Sequence, residues 1–530
     1  MKNRKDRYPL DIFSVKELGL EKWVNNEMIW PILDDESIAI GNDVYNDYVN
    51  IIRETKDERI KLLLNINNKL ILEISGIIHS LLVLKRLDEK GLEPEFNNSA
   101  IYFEALLNQD PSIDGIYNRY KDKVIPKNKG RLYNSLKGSL LKLKLNKSFN
   151  KKKDENVIYT LESKNHFYLK KYSQMENKPI KFYPLFDIST YFYVTKNSQV
   201  YFEHSINEIL RIFKELGLKY EISISEGIIS NLKYIINDAF TKTNSLLDYH
   251  YSILKKLSPS EFFIPSLGHI SFRTFSAAAK LAGHTIIGSS HGNSIGMFDI
   301  PLRALIDLSI VDKFLVVTNY ASKNYKKLRV KYLEGINRPE IISVNSNFYK
   351  KLFDKHNNLN TKSNIKKLMI VEYPLTETRH NLYSFWPYQL KLMLKIGQFL
   401  SKTKINSIIK RHPDRLEEST IIYKNYYDYQ LSAPFEEVFQ EADAFLFMNI
   451  TSTTFGFAMT TNRPIFIFST WLEEVWDEMV PAISKRCITI PSWIDGSGVM
   501  HFDEKYFRNK LLSKGIWEID NQAVNDFMIP

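Results

Sequence analysis

Ala444-Phe-Leu-Phe-Met-Asn-Ile-Thr-Ser-Thr-Thr-Phe-Gly-Phe-Ala458 leads within a few residues into Arg463-Pro-Ile-Phe-Ile-Phe468. The apolar run from Ala444 to Met448 has the length of a buried strand, and Ile465 to Phe468 reads as another. The stretch between them reads as a helix that opens on a cluster of hydroxyl side chains, Thr451, Ser452, Thr453 and Thr454. These residues therefore belong where a parallel strand ends and a helix begins. Such a junction presents unbonded backbone N–H groups and the positive end of the helix dipole to an anion. The hydroxyls add donors and exceed what an N-cap alone requires.

Working outward, Ile408-Ile-Lys-Arg-His-Pro-Asp414 ends another strand with three side chains able to carry positive charge, Lys410, Arg411 and His412. Strand alternation lets only some of them share a face. Two strand ends suited to phosphate imply a nucleotide or sugar-nucleotide site at the carboxyl edge of a parallel sheet. Glu372 follows the strand Leu368 to Val371 and is placed to meet a ribose or a base edge, or to stand as a plain strand-end carboxylate. Arg379 and His380, on the next loop, are further donor-site candidates.

The same strand–helix alternation runs through residues 261–324 and again from Lys367 onward, which predicts an α/β protein with mostly parallel sheets. Residues 1–65 read as an N-terminal extension, 66–352 as a first Rossmann-like domain, 353–366 as a polar linker and 367–530 as a second Rossmann-like domain. Within the first domain, residues 140–185 are lysine-rich and weakly periodic and read as an insertion. Leu70 to Ser75 reads as a strand leading into a helix, Leu472 to Met479 as a helix, and a closing helix at about Lys505 to Lys514 is placed to pack back across the linker.

Composition narrows the classes. With 44% hydrophobic residues the 530-residue chain can fill large cores. A single cysteine, Cys487, excludes an intramolecular disulfide and fits a reducing cytoplasm. No apolar run reaches the roughly 20 residues of a membrane span, and no apolar region follows the basic start of the chain. The net charge of +11 calls for an acidic partner. The densest basic segment, residues 141–153, reads as a solvated face or a membrane-surface contact; no nucleic-acid-binding module surrounds it. No Asp-x-Asp pair, no Gly-Lys-Ser/Thr and no Gly-x-Gly-x-x-Gly occurs, and the histidines lack metal-ligand spacing.

The order Arg411-His412-Pro413, then Ser452-Thr453-Thr454, Phe457-Ala458 and Arg463-Pro464 resembles the GT-B glycosyltransferases, which face two Rossmann-like domains across a cleft. Within them it looks most like bacterial sialyltransferases, Kdo transferases and CDP-glycerol glycerophosphotransferases. The resemblance covers roughly residues 260–470, and Ser290-His291-Gly292-Asn293 is similar to the His-Gly loop of the glycerophosphotransferases. It implies a metal-independent transfer of an acidic keto-sugar, a nonulosonic acid or Kdo, from a CMP-linked donor. The implied acceptor is a surface glycan, lipid-linked glycan or glycoprotein. No cofactor beyond the donor is implied, and no nucleic acid. His412 and the Ser452–Thr454 cluster would hold the nucleotide phosphate, with Lys410, Arg411 and Thr451 assisting. A general base is expected from the first domain, with His291, Glu226 and Asp299 as alternatives; Ser225 stands where the acidic-acidic-glycine motif of sialyltransferases has its first acid. The expected location is the cytoplasm, with peripheral contact at the inner membrane face. A CDP-glycerol enzyme and a non-catalytic GT-B-like binding protein are the alternative readings.

Overall fold

The computed structural model describes residues 6–25, 28–96, 156–161, 166–183, 202–290, 296–357, 364–375, 386–413, 416–513 and 517–530. Its centre is two six-stranded, all-parallel sheets. The described strands, in chain order, are β1 (Arg7–Pro9), β2 (Glu93–Glu95), β3 (Ile158–Thr160), β4 (Ile180–Phe182), β5 (Glu261–Ile264), β6 (Thr285–Ser289), β7 (Lys313–Val316), β8 (Glu340–Ser343), β9 (Lys367–Val371), β10 (Asn406–Lys410), β11 (Tyr429–Leu431), β12 (Ala444–Phe447), β13 (Ile465–Phe468), β14 (Ile488–Ile490), β15 (Ser492–Ile494) and β16 (Met500–Phe502).

The first sheet runs β4-β3-β5-β6-β7-β8 and the second β11-β10-β9-β12-β13-β14. All four residues of β12 and of β13 are buried, as a parallel strand covered by helices on both faces requires. Each sheet reverses its direction of growth once. The reversal falls between β3 and β5 in the first sheet and between β9 and β12 in the second. At such a switch point the connections diverge to opposite faces and leave a crevice at the strands' carboxyl ends.

Several expectations are corrected. Leu70 to Ser75 is not a strand but the start of the helix Leu70–Glu89. Its buried residues Leu70, Ile71, Ile74, Ile77, Ile78, Leu81 and Leu82 recur at helical spacing, and this period outweighs the short apolar run. Residues expected as an insertion supply β3, β4 and the helix Phe167–Glu176, so part of 140–185 is integral to the first sheet. Tyr220 to Ser225 alternates apolar and polar residues yet forms no strand; Ser225 caps the helix Glu226–Leu254 by accepting from the Ile228 N–H. Leu472 to Met479 is not a helix; the helix there is Val480–Arg486, with Pro481 in its first turn.

The closing helix Glu504–Leu511 stays with the second sheet, where Phe507 stacks on Phe399 at 5.1 Å. The final helix Gln522–Phe527 makes the crossing instead. It packs on both Val480–Arg486 and the helix Asn319–Tyr332, and its Phe527 carbonyl accepts from the Thr318 hydroxyl at 3.0 Å. The N-terminal extension is tied to both sheets' helices. Trp23 stacks on Trp386 at 5.8 Å and Trp30 meets Trp386 edge-on at 5.6 Å. Buried Arg273 donates to the carbonyl of Asn65 at 2.6 Å and to that of Ile306 at 2.8 Å.

Candidate functional site

The site is built at the switch point of the second sheet. Val371 of β9 is in register with Lys410 of β10 and with Phe447 of β12, so the three chains leave the sheet side by side. Glu372, Arg411 and Met448 are the first residues beyond the edge. The Glu372 N–H donates to the Lys410 carbonyl at 3.0 Å, and the Met448 N–H to the Val371 carbonyl at 3.2 Å.

On the β12 side the hydroxyl cluster forms as a turn and a cap. The Asn449 side chain accepts from the Thr451 N–H at 2.7 Å. Ser452 is the N-cap of the short helix Thr453–Met459 and accepts from the Phe455 N–H at 3.2 Å. Thr453 is exposed, and Thr451, Ser452 and Thr454 are half-buried, so three hydroxyls beyond the cap reach solvent at this edge. Two buried side chains brace the turn. Gln389 donates to the Met448 carbonyl at 3.2 Å, and Arg486 clamps the far end of the short helix through the Thr461 carbonyl at 2.6 Å and the Met459 carbonyl at 3.1 Å. Burial lowers the Arg486 pKa to about 10, so its charge persists at neutral pH.

On the β10 side the chain is fixed from both flanks. The Arg411 N–H donates to the Leu431 carbonyl at 2.8 Å, and the His412 N–H to the Glu372 carboxyl at 2.7 Å. Lys410 is buried and donates to the Arg411 carbonyl at 2.6 Å. Burial lowers its pKa; the carboxylates of Glu372 and Glu436 oppose that shift. Arg411 and His412 are half-buried at the edge. Burial pushes the Glu372 carboxyl up to about 8, although the His412 N–H, the Tyr423 hydroxyl, Arg411 and Lys410 all favour its charged form.

The structure thus brings together Lys410, Arg411, His412, Glu372, Thr451, Ser452, Thr453 and Thr454, eight of the residues singled out in the sequence. It does not bring Glu226 or Asp299 to this edge. Glu226 is an exposed carboxylate in the first turn of its helix, where it complements the helix dipole. Asp299 is held by Lys331 at 2.7 Å and by the Tyr332 hydroxyl at 2.8 Å. It lies on a segment joined to the second half of the chain: Phe298 bridges Val475, and the Asp299 N–H donates to the Glu474 carbonyl at 2.9 Å. His291, Arg379, His380 and the basic segment 141–153 lie outside the described residues.

Other site residues carried little signal in the sequence. Gln389 sits inside an apolar helix, and Glu436 opens a one-turn helix after β11, where Pro434 was the only cue. His166 and His269 flank the first sheet's own switch point, each the residue before a helix. Burial lowers the His166 pKa to about 4, which keeps its ring neutral, and its Nδ1 has no hydrogen-bond partner. Gly292-Asn-Ser-Ile-Gly296 has the spacing of a hydrolase nucleophile elbow, but residues 291–295 lie outside the described residues. Among the described residues there is no metal-binding cluster of His, Cys, Asp and Glu, and no helix long and apolar enough to cross a membrane.

No protein-family model and no curated protein matches the chain. Among solved structures it is similar to the apo form of a lipopolysaccharide outer core galactosyltransferase, WaaB, at 14% identity and a TM-score of 0.25. The match covers 43% of this chain and 62% of that one. A likeness at this level identifies neither a family nor an activity.

Proposed function

We propose that the chain is a metal-independent glycosyltransferase of GT-B type. It would transfer a sugar, an acidic keto-sugar by the resemblance of its motifs, from a CMP-linked donor to a glycan, lipid-linked glycan or glycoprotein. The observation that carries the reading is the meeting of two motifs at one switch point. The Lys410-Arg-His-Pro413 turn and the Ser452-capped turn stand on either side of the β9 end. Cationic side chains, hydroxyls and backbone N–H groups fixed beforehand can stabilise a departing phosphate without reorganising. The net charge of +11 suits an anionic donor and an acceptor near an anionic membrane face.

Thermal unfolding against CMP, CDP, UDP, GDP, ADP and NAD tests the proposal. A ligand that binds only the folded state, at about 100 times its Kd, stabilises by roughly 2.7 kcal/mol. Selective stabilisation by CMP supports the keto-sugar reading. A response to CDP alone moves the assignment to a CDP-glycerol transferase, and one to UDP or GDP to another donor class. Stabilisation by none of them refutes the nucleotide site and leaves the non-catalytic reading.

A further inference from the structure

We propose that Glu372 is a positioning residue that sets the backbone, and so the ring direction, of His412; the role in nucleotide binding rests on the site reading above. In a regular parallel ladder the His412 N–H would meet the backbone carbonyl of Glu372, because the Glu372 N–H already donates to Lys410 two residues earlier. The Glu372 side chain takes that bond instead, at 2.7 Å. The substitution ends the ladder at this residue and lets the β9 chain leave the edge while the β10 chain stays anchored.

The carboxyl is not turned to the crevice. It is 7% exposed and is backed by Tyr423, whose hydroxyl bonds to it. Tyr423 is fully buried and also reaches the Met393 sulfur at 3.3 Å, inside the helix layer. The carboxyl oxygen that accepts from the His412 N–H is committed to the turn. On the other flank Arg411 is pinned to Leu431, and Pro413 restricts His412 to extended backbone. Leu431 holds the turn from one flank through the Arg411 N–H, and Glu372 holds it from the other through the His412 N–H. Among the described residues, the charged and titratable groups facing the carboxyl are Lys410, Arg411 and His412 on the β10 chain and Tyr423 and Tyr427 beneath it.

The test compares Glu372→Gln, which keeps an acceptor, with Glu372→Met, which fills similar space without one. The readouts are hydrogen exchange at the His412 amide and CMP affinity by calorimetric titration, measured on either side of pH 8, where the carboxyl titrates. The Gln variant is expected to keep His412 protected and CMP affinity within about threefold of the parent, and to lose the parent's change in affinity across that pH. The Met variant is expected to unfold cooperatively, exchange His412 at least about tenfold faster and bind CMP at least about tenfold more weakly. Unchanged exchange and affinity in the Met variant, or a Gln variant as impaired as Met, overturns the proposal. If the Met variant does not fold, Glu372→Ala, which also lacks an acceptor, takes its place under the same criteria. A parent protein that binds no nucleotide refutes the site reading alone; the exchange rates still decide whether Glu372 holds His412.

Discussion

The two parallel sheets have the same strand number and the same single reversal, yet their carboxyl edges are furnished differently. At the second edge Lys410 is bonded to a backbone carbonyl, and the hydroxyls of Thr451, Thr453 and Thr454 stand beyond the cap that Ser452 supplies. In the first half of the chain the described charges answer one another. Asp299 is paired with Lys331, and Asp307 sits beside Arg303 and Tyr325, whose hydroxyl also donates to Ser290 at 2.8 Å. Lys327 is paired with Glu478 across to the second half of the chain. Charges already paired support structure, whereas hydroxyls and cationic side chains gathered at a strand–helix turn are suited to an anion.

The largest expected effect separates the edges by pH. Each holds one buried carboxyl with a raised pKa, Glu372 near 8 and Asp307 near 6. A carboxyl raised on folding binds more protons in the folded state. Stability is therefore full below the ordinary carboxyl range and falls as pH rises toward the folded pKa. For Glu372, moving from its ordinary 4.5 to about 8, the full loss is on the order of 5 kcal/mol above pH 8. For Asp307, moving from 3.8 to about 6, it is on the order of 3 kcal/mol and complete at lower pH. Denaturant unfolding of Glu372→Gln from pH 4 to 9 should show a gain over the parent that grows up to about pH 8. A gain that is flat with pH would mean that the carboxyl is not buried as described.

Turnover ranks the candidate bases. The crevice rule places the first domain's contribution at the β3–β5 switch point, which His166 and His269 flank, rather than after β6, where His291 follows. Loss of a general base costs about 100-fold or more in rate. One of His166→Ala and His269→Ala is expected to show that loss with CMP affinity unchanged. The loss in His291→Ala alone would return the role to the loop after β6.

Nucleotide stabilisation tests the contrast next. The roughly 2.7 kcal/mol expected from CMP at about 100 times its Kd should vanish in His412→Ala and persist in Glu226→Ala and Asp299→Asn. Its persistence in His412→Ala would break the contrast between the edges. The smallest effect is local: Ser452→Ala removes a cap and should cost about 1 kcal/mol of unliganded stability, measured by denaturant unfolding.

Much of the fold was legible because parallel strands buried on both faces are short apolar runs. Ile465–Phe468 matches its expected bounds, and the neighbouring strands, Lys367–Val371 among them, differ by a residue or so. What misled was an apolar run at helical period, Leu70 to Leu82, and short strands without apolar continuity, such as Ile180–Phe182. The second edge was legible because its residues are contiguous at two strand ends. Gln389, Glu436, His166 and His269 were not, since only the order of strands in the sheets brings them to the edges. The same order brings Glu372, a candidate ribose or base contact in the sequence, within hydrogen-bond reach of the His412 N–H.

Hydrogen exchange of the whole chain with and without saturating CMP tests the central claim most directly. The account predicts slowed exchange concentrated in residues 410–413 and 449–455, with the first sheet's edge unchanged. Protection that appears at the first sheet's edge and spares those two turns would contradict it.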